Sequence, residues 1–91
     1  MITYNFHNAK TEPPSKDGLY LCITNYHNHP YYRLCQWAND LYKVDSYYFE
    51  NKRGVHGWYD YDSEAGYYVC GYVAAWAELP EIPEEIVKGE Q

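Results

Sequence analysis

Apolar and polar residues alternate along much of this chain with the period of two that an extended strand imposes, and turn-forming residues separate the runs. Leu19, Leu21 and Ile23 alternate with Tyr20, Cys22 and Thr24, so both sides of residues 19–24 are largely apolar, which predicts a strand inside a sheet. After a polar connection at 25–30, residues 31–38 carry Arg33, Cys35 and Trp37 on one side and Tyr32, Leu34 and Gln36 on the other. Asn39-Asp40 suits a two-residue turn because both residues tolerate positive φ, so residues 31–38 and 41–49 are expected to form an antiparallel hairpin. Residues 50–54 read as a charged turn, 55–61 as a short strand containing Trp58, and 60–66 as an acidic loop. The longest run of β-branched, aromatic and small apolar residues is 66–80. It predicts a central strand anchored by Val73, Trp76 and Leu79 and stopped by Pro80 and Pro83.

The ends are less regular. Ile2, Tyr4 and Phe6 alternate with Thr3, Asn5 and His7, as in a short first strand or extended arm; Pro13-Pro14 and Lys16-Asp17-Gly18 then make a loop. Residues 84–88 have room for one helical turn, and no window shows the spacing of a longer amphipathic helix. The expected fold is mainly β, a small antiparallel sheet of about four to six strands with little helix, as a meander or partly closed barrel. Residues 1–91 make one domain: an N-terminal strand or arm and Pro-rich loop at 1–18, the sheet at 19–80 and an acidic tail at 81–91.

Tyrosine changes this picture most. Thirteen Tyr, three Trp and two Phe bring the aromatic share to 20%, enough to build a core with few aliphatic residues and still leave rings for the surface. Thirteen acidic against seven basic residues give a formal charge of −6, which argues against direct nucleic-acid binding and favours a basic partner. Cys22, Cys35 and Cys70 are odd in number and lie in separate strand-like runs, which predicts buried reduced thiols and a reducing compartment. No leader peptide or apolar stretch of spanning length is read in the chain, so a cytoplasmic location with no membrane association is expected.

Candidate chemistry is sparse. His27-x-His29 places two imidazoles on one side of an extended segment, but the second pair of a structural zinc site is missing, so no metal is expected. Asp60-x-Asp62-x-Glu64 resembles the start of a calcium loop, yet Ala65 and Gly71 occupy the positions that need Gly and Glu. The cysteines lie in apolar strands that disfavour a thiolate, no serine sits in a nucleophile turn, and no glycine spacing makes a phosphate loop. No catalytic residue and no cofactor are expected, and the chain does not read as an enzyme.

The segments Pro13-Pro14-Ser15-Lys16-Asp17-Gly18-Leu19-Tyr20-Leu21-Cys22, Gln36-Trp37 and Val73-Ala74-Ala75-Trp76-Ala77-Glu78-Leu79-Pro80 resemble a family of short uncharacterised phage and prophage proteins. That family opens with a P-x-x-G-x-Y-L strand, has a middle hairpin with Trp, and closes with a V-x-x-W-x-x-L-P box. The resemblance covers residues 11–83 and implies phage or mobile-element origin and a small antiparallel sheet; it brings no catalytic residues. Together with the surplus of tyrosine and the acidic charge, it leads to the expectation of a non-catalytic module that binds a host protein in the bacterial cytoplasm. More specifically, an inhibitor of a defence protein with a basic nucleic-acid groove, such as a CRISPR effector, is expected. Tyr47, Tyr48, Trp58, Tyr59 and Tyr61 are the expected contact rings, with Asp60, Asp62 and Glu64 steering a basic partner, and a homodimer is a further expectation. The alternative is a domain that binds a sugar or nucleotide on its aromatic surface.

Overall fold

A computed structural model describes residues 3–82. The chain forms β1 (His7–Asn8), β2 (Gly18–Tyr26), β3 (His29–Ala38), the one-turn helix α1 (Leu41–Val44), β4 (Gly57–Asp62), β5 (Gly66–Val69) and β6 (Val73–Glu78). The strands make one open antiparallel sheet in the order β1-β6-β2-β3-β4-β5, so the expected class, mainly β with little helix, is the observed one. Four strands run as a meander, and β6 returns to pair with the free side of β2.

The longest pairing joins β2 and β3 from Gly18↔Trp37 to Tyr26↔His29. His27 (φ 50°) and Asn28 (φ 63°) close it as a two-residue turn with positive φ at both positions, the geometry that matches strand twist. Asn25↔Pro30 is the next pair, one that exchanges no hydrogen bonds across β2 and β3, so the proline ring nitrogen points to the outer edge and costs the ladder nothing. That edge is open because β3 pairs with β4 only from Gln36 to Ala38.

Alternation divides the sheet into two faces. One carries Cys22, Cys35, Trp37, Trp58 and Trp76, which together with Cys70 form the main buried cluster. Rings run across this face from Trp76 to Tyr20 (5.0 Å), Tyr20 to Trp58 (6.0 Å) and Trp58 to Trp37 (5.0 Å), all edge-on. The Pro-rich loop covers them. The Trp76 indole donates to the Glu12 carbonyl at 2.7 Å, the Tyr20 hydroxyl to the Lys16 carbonyl at 2.7 Å, and Pro14 is buried. Asn39 locks the far end, accepting from the Trp37 indole at 2.9 Å while its own backbone N–H donates to Asp17 at 2.7 Å.

Four sequence expectations need correction. Residues 41–49 are not a strand: Asn39 is committed to the Pro-rich loop, and the Asp40 carboxylate caps α1 by accepting from the Tyr42 (3.1 Å) and Gly54 (2.9 Å) N–H groups. Leu41 and Phe49 then drop onto Ala38 on the second face of the sheet as a small separate core.

The run 66–80 is two strands. β5 lies at one edge of the sheet and β6 near the other, and residues 70–72 turn between them with Tyr72 at φ 65°. Four strand spacings span about 19 Å in a flat sheet, whereas the four residue steps from Val69 to Val73 reach only about 13 Å fully extended, so the sheet must curl toward the tryptophan face. Hydrogen bonds pin the link at both ends, from Cys70 N–H to Trp58 (2.9 Å) and from Asn25 N–H to Tyr72 (2.9 Å).

Of residues 2–7, expected as a short first strand or an extended arm, only His7 lies in a strand among those described: β1 is His7–Asn8, and it pairs with β6 through His7↔Trp76. The strand expected at 55–61 is β4, but it starts at Gly57 and runs on through Asp62, a residue expected in the acidic loop. The possible helical turn at 84–88 and the acidic tail beyond Ile82 lie outside the described residues.

Trp76 holds together β1, β2 and the Pro-rich loop. Trp76→Ala should cost about 3–5 kcal/mol in a urea unfolding experiment. An unchanged midpoint would contradict its place in the core.

Candidate protein-contact surface

β4 separates the expected contact residues by alternation. Trp58 points into the concave core and is buried, so it is corrected from contact ring to core ring. Asp60 is on the same side, half-buried, with one oxygen 3.4 Å from the Arg33 guanidinium and the other accepting the Tyr61 N–H at 2.8 Å. The guanidinium also donates to the Tyr68 hydroxyl, so Asp60 is a neutralised structural acid and its steering role is withdrawn.

Tyr59 and Tyr61 project from the other face. Tyr59 is half-buried beside Phe49 (6.1 Å) and donates to Gln36 at 3.3 Å; burial first, then the neighbouring Tyr67, raises its pKa above the ordinary phenol value. Tyr61 is exposed. Tyr67, paired with Tyr61 in register, gathers the rings, with centroids 5.0 Å from Tyr61, 6.0 Å from Tyr48 and 6.0 Å from Tyr59. Tyr47 extends the group at 5.1 Å from Tyr48 and is 78% exposed. The structure therefore brings Tyr47, Tyr48 and Tyr61 together through Tyr67. The sequence signal for Tyr67 was its place in β5, facing Tyr61 across a short turn.

Two backbone devices set these rings. The Asp45 carboxylate accepts from the Tyr47 (2.8 Å) and Tyr48 (3.1 Å) N–H groups, fixing the tight turn that presents both. Gly66 has φ +83°, and the Tyr48 ring lies against it where any Cβ would overlap the ring. At the β4–β5 turn, Asp62 accepts from the Glu64 (2.7 Å) and Ala65 (3.1 Å) N–H groups, which hold its carboxyl below the usual carboxylate range. Asp62 and Glu64 are exposed and have no ion pair among the described residues.

On the concave side a groove of about 410 Å³ opens beside Trp37, Trp58, His56, Lys10, Cys70 and Val73. The three thiols are free and buried below it. Cys35 sits between the other two, and its hydrogen bond with Cys22 pushes its pKa up to about 11; Cys70 is raised by Cys35 and by burial. His27 lies in the β2–β3 turn and His29 opens β3, and among the described residues no three His, Cys, Asp or Glu side chains gather as a metal site requires. No helix of the described residues is long and apolar enough to cross a membrane.

Comparison of the chain with protein-family models, curated proteins and solved structures found no match.

Gly66→Ala should destabilise the domain by at least about 1 kcal/mol and displace Tyr48, read as a loss of Tyr48–Tyr67 contacts by NMR. A thiol reagent at mildly alkaline pH should label none of the cysteines in the native protein and all three after unfolding. Rapid native labelling of any of them would contradict the closed core.

Proposed function

We propose that the domain is a non-catalytic protein-binding module of phage or prophage origin that engages a basic host protein. The carrying observation is the tyrosine cluster: Tyr47, Tyr48 and Tyr61 stand exposed on a base of Tyr67 and Phe49. Rings held this way lose little conformational freedom on binding, and tyrosine offers both an apolar face and a hydroxyl to a protein partner. Asp62 and Glu64, without an ion pair among the described residues, supply charge at the adjacent turn that draws in lysine and arginine and speeds encounter. A nucleic-acid-binding defence effector in the host cytoplasm, such as a CRISPR effector, has the basic groove that this combination suits.

The concave groove supports a second reading, a site for a sugar or nucleotide. Trp37 and Trp58 line it, with Lys10 and His56 available for polar contacts.

Pull-down from host lysate distinguishes the two. The wild-type protein should retain a stoichiometric basic partner, and a Tyr47→Ala/Tyr61→Ala variant should weaken it about 30-fold, the loss of about 2 kcal/mol expected of a contact hot spot. Asp62→Asn/Glu64→Gln should slow association at low salt and matter little at high salt. Equal retention by both variants would overturn the surface assignment. Absence of any partner, with a melting temperature raised by a sugar or nucleotide, would favour the groove.

A further inference from the structure

The convex side of the sheet is only partly covered. Over β4 and β5 it carries Phe49 and its neighbours, whereas over β2, β3 and β6 it presents Leu19, Leu21, Ile23, Tyr32, Leu34 and Ala75. Leu34 is 49% and Tyr32 70% exposed, and Phe6 lies 6.2 Å from Tyr32, extending the patch toward β1. Register places half-buried Leu21 opposite exposed Leu34 and half-buried Ile23 opposite exposed Tyr32, so these side chains form a continuous apolar strip.

We infer that this face seats a second copy of the chain, packed sheet against sheet about a two-fold axis. Charge selects this occupant. Every side chain on this face from Leu19 to Asn25, from Pro30 to Gln36 and from Ala75 to Ala77 is uncharged, although the chain carries −6. Two such faces meet without setting like charges opposite one another or stranding a buried charge, while a basic partner finds no carboxylate here. Being uncharged throughout these stretches and largely apolar, the patch can meet its own copy, as a two-fold interface requires. Across β6, β2 and β3 it measures about 14 Å by about 20–30 Å, roughly 290–430 Å² before side-chain relief is added. That is below the about 600 Å² per partner at which specific interfaces begin, so the dimer should be weak and concentration-dependent. Stacking is favoured over edge-to-edge pairing because Pro30 removes a donor from the open edge of β3.

Sedimentation equilibrium of the full chain from about 5 µM to about 500 µM tests this directly. The wild type should shift from monomer to dimer. Leu34→Glu and Leu34→Lys should each be monomeric over the same range with native circular dichroism, since Leu34 is already half-exposed in one chain. Mixing the two variants should restore dimer by pairing opposite charges across the axis. A wild type that stays monomeric throughout overturns the inference, and a lowered melting temperature of monomeric Leu34→Glu would then assign the face to residues 83–91 of the same chain. A dimer unaffected by both variants overturns it as well. Tyr47→Ala/Tyr61→Ala should dimerise normally, which separates this interface from the tyrosine surface.

Discussion

A link too short for a flat sheet governs this fold. Because residues 70–72 must carry the chain from one edge strand to a position beside β2, the sheet curls, and curling makes its two faces unequal. On the inside, side chains converge, so Trp37, Trp58, Trp76 and the three thiols fill the space without many aliphatic residues. On the outside they diverge. Rings and leucines there have neighbours only along the sheet, and they become surface unless a loop is laid over them. The loop at 39–56 covers one end, and its turns, held by Asp40 and Asp45, bring the tyrosines into a single group.

The protein thus uses its aromatic residues in two ways. Inside, Trp76 and Trp37 are tied by their indole N–H groups to the Pro-rich loop and to Asn39, which satisfies the polar part of these two rings as they are buried. Outside, tyrosines rest on one another: Tyr47 and Tyr61 are exposed, Tyr59 turns its hydroxyl to Gln36, and Tyr48 lies against Gly66. Acidic residues follow the same division: half-buried Asp60 is matched by Arg33, and exposed Asp62 has no ion pair among the described residues.

How far the sequence revealed this depends on the range of the forces involved. β2 and β3 were legible because both their faces are apolar and the pattern is strictly local. Residues 41–49 were misread because Leu41 and Phe49 fit a strand pattern, and what decided against it was the engagement of Asn39 by Asp17, 22 residues earlier. The break at 70–72 follows from where β5 and β6 must go, which no local pattern records. On β4, period two alone separates Trp58 from Tyr59 and Tyr61, but only the structure shows which of the two sides is closed over. The grouping of Tyr47 and Tyr48 with Tyr61 depended on Gly66, whose missing side chain leaves room for the Tyr48 ring.

β1 has a consequence for the order of folding. His7 pairs with Trp76, and the Trp76 indole holds the Glu12 carbonyl 64 residues earlier in the chain, so β1 and the Pro-rich loop have their partner only once β6 is present. A chain emerging from the ribosome has made the β2–β3 hairpin before it has made Trp76, the ring to which the Pro-rich loop is tied. Until β6 is released, the N-terminal arm is tethered on one side only, and the interior of the curl is wet. The last of the described strands to be made is therefore the one that seals the domain.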